Sequence, residues 1–551
     1  MLDFTLIPWY NYNKEWGAFM SIVHVKNKQN GITYVYESEG YWDKEKQQSR
    51  SHRTCIGKLD PITGVLVPSK RLKDSASIAL KPGPVPVTES KRFFYGATYL
   101  FDAIGEKLGI TDDLNKCFPD SYKKILSVAY YLILEDSNPL SRFQKWSSLH
   151  KHPFGKDIPS QRSSDLFASI SDDAREQFFH LQGSRRLEQE YWAYDTTSIS
   201  SYSKCLKQVK FGVNKEHDPL AQINIALLFG EKSNLPFYYR KLAGNISDVK
   251  TVKNLLADLD FFEYKKIKLV MDRGFYSEEN INGLYQNHIK FLIGVKMSLK
   301  YVKKELDNVR STIQNWSNFN PQYNIYSSSS MITWQYSQDR PYKSDIVHGD
   351  RRAYLHIYFN KEKETEDAYK LNSLLIKLKD ELESGKRNPE HEKQYTKYFE
   401  IKSTPKRGIT ISPKQEVIDE AVKNYGYFAM LSNEIKDPIE ALEIYRNKDL
   451  VEKAFGNLKE RLNMRRFEVS SELSLDGKLF VEFIALIYLS YLKKMMQDKK
   501  LFKNYTMQGL LDEFDVIECF EQPGRDLRLG EVTKRQRDLY ETIEITPPTL
   551  L

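Results

Sequence analysis

The spacing of apolar residues changes several times along the chain, and each change marks a boundary. From Met20 to about Leu72 the period is two: SIVHV, ITYVYES, TCIGKLD and GVLVP are separated by Asn-Gly and Thr-Gly turns and predict strands joined by hairpins. Basic residues run between and beyond these strands (Lys44, Lys46, Arg50, His52, Arg53, Lys58, then Lys70, Arg71 and Lys73), as a solvated rim or as a β module that grips phosphates. The segment Leu80 to Val87, LKPGPVPV, reads as a linker because proline and glycine break both periods. The period then becomes helical, with helices predicted over Ala97–Leu108 and Tyr122–Glu135. Within this helical stretch, IPSQRSSDLFASI (Ile158–Ile170) predicts a helix capped by Ser160 or Ser163, with Gln161 and Arg162 at its exposed start. Short polar and basic residues at a helix start are those that helix-turn-helix modules place in a DNA groove, although a plain packing helix has the same pattern.

From Glu188 the alternation returns in EYWAYDTTSIS, QINIALLFG and LPFYYRKLAGN. A helix follows, SDVKTVKNLLADLDF, then the strand KIKLVMDRGF, the helix SEENINGLYQN and the strand HIKFLIGVKM. Three strands followed by helix, strand, helix, strand is the order of an RNase H-like α/β fold, a mixed sheet flanked by helices. Residues 299–425 interrupt it with a Tyr/Ser-rich run, a strand pair near RAYLHIYF and a charged helix around Glu364–Glu383, an inserted domain or a long excursion. YGYFAML (Tyr425–Leu431) then restores core-like sequence. Leu479–Leu492 predicts a buried helix: it is apolar, contains Glu482 and is too short to span a bilayer.

Between these lies the stretch Ala441–Leu462, rich in Leu, Ala, Glu and Lys, with Asp437-Pro438 as a start signal and Gly456 as its one interior breaker. It predicts one helix whose stripe Val451, Ala454, Phe455, Leu458 and Leu462 faces a core. At about 100° per residue, Tyr445, Lys448, Glu452 and Lys459 fall along one edge of that stripe. A solvated face with i,i+4 pairs such as Lys448 with Glu452 accounts for such a row on a lone helix.

At 551 residues the chain exceeds one core, and 40% hydrophobic residues make it globular. A net charge of +8, from 82 Lys+Arg against 74 Asp+Glu, permits a polyanionic partner without demanding one. The four cysteines form no CxxC pair, which argues against a zinc finger and for reduced thiols in a cytoplasmic protein. The opening residues lack the apolar run of a secretion signal. There is no GxxxxGK[ST] loop, HExxH or GxSxG elbow, and His150 and His152, ahead of a Pro-Phe loop, read as surface residues.

Acids at the ends of apolar strands are aimed by a rigid scaffold. Asp195 ends EYWAYD and Asp272 ends KIKLVMD, and an RNase H-like sheet sets those strands side by side. With Glu452, three oxygen donors converge. Such a set suits Mg²⁺ or Mn²⁺, and two ions there can activate a water or a 3′-hydroxyl and stabilise the leaving oxygen of a phosphodiester.

The motifs AYDTTSIS, VMDRGFYS and YRNKDLVEKAFGNLK resemble the DDE transposases of bacterial insertion sequences, in the class marked by a Tyr, Arg, Glu, Lys signature. The resemblance runs from about Gly31 to Lys494 and includes YVYES, IGKLD and PSQRSSDLFASI. It implies that Asp195, Asp272 and Glu452 are the catalytic, metal-binding triad, with two Mg²⁺ or Mn²⁺ ions as cofactor. Tyr445 and Lys459 match the ends of the signature, whereas Lys448 stands where the class has Arg, which keeps the charge and loses the fork that grips a phosphate. With Arg273 and Tyr276, these three are implied to lie against DNA. The implied partners are double-stranded transposon ends and target DNA, with a homodimer in the DNA complex and no membrane. The expected division is an N-terminal β module (1–80), a helical DNA-binding domain (90–187), an RNase H-like catalytic domain in two parts (188–298 and 426–498), an insertion (299–425) that holds the transposon end and covers the site, and a C-terminal tail (499–551). The competing readings are a metal-dependent nuclease without strand transfer and a former transposase whose site has decayed.

Overall fold

A computed structural model describes residues 19–28, 30–43, 46, 48–60, 64–68, 90–135, 138–185, 190–203, 206–215, 218–264, 266–340, 345–404, 408–448, 455–456, 459, 461–462, 466–467 and 471–549. The chain divides into two compact units, residues 1–91 with 521–527, and residues 92–520 with 528–551.

The first unit holds a four-stranded antiparallel meander, β1 (Phe19–Lys26), β2 (Thr33–Asp43), β3 (Gln48–Leu59) and β4 (Leu66–Pro68), in chain order. Gly31, at φ +68°, makes the predicted Asn-Gly turn. Arg50, His52, Arg53 and Lys58 stand exposed on β3. Lys44, Lys70, Arg71, Lys73 and the Pro-rich stretch 81–87 lie outside the described residues.

In the second unit, β5 (Lys91–Phe94) leads into six helices, α1 (Gly96–Lys107), α2 (Ile110–Cys117), α3 (Tyr122–Leu134), α4 (Phe143–Leu149), α5 (Ser160–Ala168) and α6 (Asp172–Ser184). The helix α5 begins at Ser160 after Pro159, with no side-chain cap. The Ser163 hydroxyl donates instead to the Ser160 carbonyl at 2.6 Å, so the expected serine cap is not made. Gln161 and Arg162 are exposed as expected. His150 and His152 are buried rather than on the surface. His150 stacks on Trp146 with ring centroids 4.7 Å apart, and His152 shares a 2.9 Å hydrogen bond with Ser127.

The large sheet is built from β6 (Trp192–Ser201), β7 (Gln222–Gly230) and β8 (Pro236–Ala243), then helix α7 (Asp248–Phe261), β9 (Lys268–Met271), α8 (Glu278–Gln286) and β10 (Lys290–Val295). Consecutive strands β6, β7 and β8 pair antiparallel; β9 returns to the other side of β6 and runs parallel to it, and β10 runs parallel to β9. The predicted order of strands and helices is present, in an α/β molecule with a large mixed sheet.

Beyond Val295, α9 (Lys300–Val309) precedes β11 (Phe319–Asn320) and the long hairpin β12 (Ile325–Arg340) and β13 (Asp345–Phe359). These strands extend the same sheet, because β16 (Tyr427–Ser432) lies between β10 and β13 and pairs antiparallel with both. Most of the Tyr/Ser-rich run is strand β12. Among the described residues of 299–425, the later part has a core of its own: α10 (Lys361–Glu383), α11 (Glu392–Tyr398), β14 (Phe399–Thr404), β15 (Gly408–Pro413) and α12 (Gln415–Val422) hold Leu371, Leu378, Leu382, Tyr395, Tyr398 and Phe399.

Past β16 come α13 (Pro438–Asn447), the short β17 (Arg466–Phe467) and α14 (Glu472–Asp498). The helix α14 is buried almost from end to end and packs on α3, α5 and β8, tying the helical region to the sheet. Gly477 permits the approach of α5: a Cβ there would sit 2.0 Å from the Phe167 carbonyl oxygen. Beyond α14 come α15 (Met507–Asp515), β18 (Glu518–Glu521), β19 (Arg528–Leu529) and α16 (Lys534–Thr542). Here α15 packs on α1, β18 joins β5 and β19, and Tyr540 is fully buried. Among the described residues no helix is long and apolar enough to cross a membrane.

Candidate active site between the central strands

The chain order reverses direction across the sheet between β6 and β9: β7 and β8 lie to one side, β9 and β10 to the other. Where parallel strands part at such a reversal, a crevice opens at their carboxyl ends. The β6–β9 pairing stops at Tyr194 opposite Met271, and β17 rejoins β6 only at Ser200 and Ser201. Asp195 and Asp272 are the next residue on each strand, so the two acids stand side by side where the strands diverge.

Asp272 immediately follows β9, as its sequence predicts. Asp195 does not end its strand: it is the fourth residue of β6, which continues through Thr196–Ser201 because that β-branched, hydroxyl-bearing run pairs with β7. Asp195 is 9% exposed and its Oδ1 accepts from the Thr196 N–H at 2.7 Å. Burial holds its carboxyl above the ordinary range, against the pull of Lys215 and Lys448. Asp272 goes the other way. Burial pushes it up, but the Tyr445 phenol, donating to Oδ1 at 2.6 Å, and the Arg273 N–H, donating at 2.7 Å, bring it below the ordinary range. Neighbouring carboxylates whose environments separate their acidities are characteristic of working acids.

Tyr445 arrives on α13, which starts where predicted: Pro438 is its first residue, and Asp437 caps the N–H groups of Ile439 and Glu440 at 2.7 and 2.8 Å. Strand β13 fixes that end, with the Tyr358 phenol donating to the Pro438 carbonyl at 2.6 Å. Gly294 of β10 leaves room for the phenol, since a Cβ there would lie 2.8 Å from the Tyr445 Oη.

The predicted single helix over 441–462 ends, in its described part, at Asn447, with Lys448 as C-cap; Phe455, Gly456 and Lys459 are again helical. Lys448 is 2% exposed, acts electrostatically on both Asp195 and Asp272, and has its ammonium 5.7 Å from the Tyr445 ring centre. Lys459, Phe455 and Leu462 are buried. Glu452 lies outside the described residues, as do Val451, Ala454 and Leu458. Arg273 is exposed beside Asp272, whereas the half-buried Tyr276 interacts with Tyr301.

Sequence reasoning missed Lys215 and Asp248. The Lys215 ammonium lies 3.8 Å from Asp195 Oδ1 and 3.2 Å from Asp248 Oδ2. Its loop reads as featureless polar sequence, and its nearness to Asp195 depends on how the chain between β6 and β7 folds back. Among the described residues no group of three or more His, Cys, Asp or Glu has metal-holding geometry. The carboxylates of Asp195 and Asp272 do supply two hard oxygen donors at one crevice.

A family model described as the transposase DDE domain matches residues 193–488, more than half of the chain, from just before Asp195 to the middle of α14. The chain belongs to this family of DDE transposases. It is a DNA transposase, an enzyme of transposition. One solved structure similar to the transposase is described as the cryo-EM structure of a piggyBac transposase synaptic complex with hairpin DNA, at 12% identity and a TM-score of 0.32, over 75% of this chain and 70% of that chain. No curated protein matches it.

Proposed function

We propose that the transposase cleaves DNA at the ends of its own insertion sequence and joins them to a target, with Asp195, Asp272 and Glu452 as the acids that hold two divalent ions, Mg²⁺ or Mn²⁺. The observation that carries this reading is the placement of Asp195 and Asp272 on adjacent strands at the point where β6 and β9 part. The strand order β8-β7-β6-β9-β10, antiparallel then parallel, supports an RNase H-like core. A pair of divalent ions bound there supplies charge neutralisation at the scissile phosphate and activation of the attacking water or 3′-hydroxyl.

The chain's own residues prepare that site. Tyr445 and the Arg273 N–H hold Asp272 ionised and oriented. Lys448, buried beside both acids, offsets their mutual repulsion and so acts from behind the site rather than as a clamp on an open DNA face. In this reading exposed Arg273 meets the DNA backbone, as do the exposed Gln161 and Arg162 at the start of α5.

In this reading residues 361–425, with their own core, are the part of the insertion that closes over bound DNA, and two protomers pair two transposon ends. The test is an assay with a donor end and a target plasmid. Joined product from the wild type, lost on Asp195→Asn, supports the proposal; cleaved donor without joined product would make the protein a nuclease.

A further inference from the structure

Lys215 belongs to the segment between β6 and β7, and its ammonium is surrounded by oxygen. It donates to the Thr196 carbonyl at 2.6 Å and to the Thr196 hydroxyl at 2.8 Å, and it pairs with Asp248 at 3.2 Å. The Thr196 hydroxyl in turn donates to Asp248 Oδ1 at 2.5 Å. Asp248 is the first residue of α7, where a carboxylate is favoured by the helix dipole. Its Oδ2 is also 3.7 Å from where a Cβ of Gly274 would stand, so the cluster reaches the turn that follows Asp272. The fourth oxygen near the ammonium is Asp195 Oδ1, at 3.8 Å, and that same oxygen accepts the Thr196 N–H.

The geometry points to Lys215 as a positioning residue for Asp195, acting through Thr196 and Asp248. Two hydrogen bonds to Thr196 and an ion pair to a helix start fix the residue whose N–H bonds the Asp195 carboxylate, and they tie β6 to α7 just where the β6–β9 ladder ends. The Lys215 side chain is 37% exposed, yet its donors are directed at protein oxygens. This leaves it poorly placed to hold a phosphate as well. The inference rests on the reading of Asp195 as a catalytic acid.

The experiment compares Lys215→Met, Lys215→Arg and Asp195→Asn in full-length protein, by single-turnover cleavage of transposon-end DNA and by end binding at several salt concentrations. A misplaced catalytic group costs on the order of 10- to 100-fold in rate, so Lys215→Met is expected to slow cleavage by about that factor. End affinity should stay within about twofold with an unchanged salt slope, and Lys215→Arg, which keeps the donors, should recover to within about threefold. A wild-type cleavage rate in Lys215→Met overturns the proposal. So does weaker end binding with a salt slope reduced by about one unit, which would make Lys215 a phosphate contact. A Lys215→Arg variant as slow as Lys215→Met, with the unfolding temperature lowered in both, would make it a structural tie. If Asp195→Asn cleaves at the wild-type rate, Asp195 leaves the site and the proposal falls with it.

Discussion

The Tyr445 phenol donates a 2.6 Å hydrogen bond to Asp272 Oδ1 across 173 residues of sequence, passing over Gly294 on the neighbouring strand. This bond lowers the pKa of Asp272 and sets which way its carboxylate points. Asp272 therefore contributes stability that is present above its unfolded pKa and lost as pH falls through its folded one. Tyr445→Phe should cost about 1 to 2 kcal/mol at neutral pH, and less below the Asp272 titration, as read by denaturant unfolding in chelator at both pH values.

Gly294 should tolerate no side chain without moving that phenol. Gly294→Ala places a Cβ 2.8 Å from the Tyr445 Oη, so we expect cleavage to fall while end affinity holds. Kinetics matching the wild type would show that the phenol can give way without consequence.

Asp195 supplies a contrast. Its carboxyl lies above the ordinary range because burial outweighs Lys215 and Lys448, so the folded state binds a proton that the unfolded state has released, and stability falls as pH rises through that interval. Asp195→Asn should raise the unfolding temperature in chelator while abolishing cleavage, the trade expected of a working acid. A lower unfolding temperature would make Asp195 a structural residue.

Lys448 bears on the row of residues that the sequence places along one helix edge. Buried beside both acids, it should act on chemistry rather than on DNA capture. Lys448→Ala should slow cleavage and leave the slope of log affinity against log salt unchanged, whereas a loss of about one unit would return it to the phosphate-contact role.

Glu482 makes a prediction about the core. It is fully buried on α14, its nearest cation is Lys478 at 3.7 Å, and burial raises its pKa to about 7. The folded state keeps its proton up to that pH while the unfolded state loses it near 4.5, so stability declines between those values. Glu482→Gln should flatten that decline and add about 2 to 3 kcal/mol at pH 8, measured by denaturant unfolding across pH.

Much of this architecture was legible because each strand and helix around the site carries its own period and its own stop signals. Asp437-Pro438 started α13, and KIKLVMD ended at Asp272. The misreadings share one cause, which is tertiary pairing that local pattern does not encode. Asp195 lies inside its strand rather than at its end because β7 pairs along the whole of β6, and part of the excursion after Val295 extends the main sheet because β16 joins β10 to β13. His150 and His152 are inside because Trp146 and Ser127 receive them. Lys215 could not have been found from sequence, since its partners Thr196 and Asp248 lie on either side of it in the chain and meet only in the fold.

The central claim is that Asp195, Asp272 and Glu452 form one catalytic set. The most direct measurement is strand cleavage of transposon-end DNA in Mg²⁺ or Mn²⁺ by Asp195→Asn, Asp272→Asn and Glu452→Gln, with end binding measured alongside. The account predicts that each variant loses cleavage by about 10³-fold or more and binds ends with nearly wild-type affinity. Near-wild-type nicking by any one of the three would contradict it and remove that residue from the site.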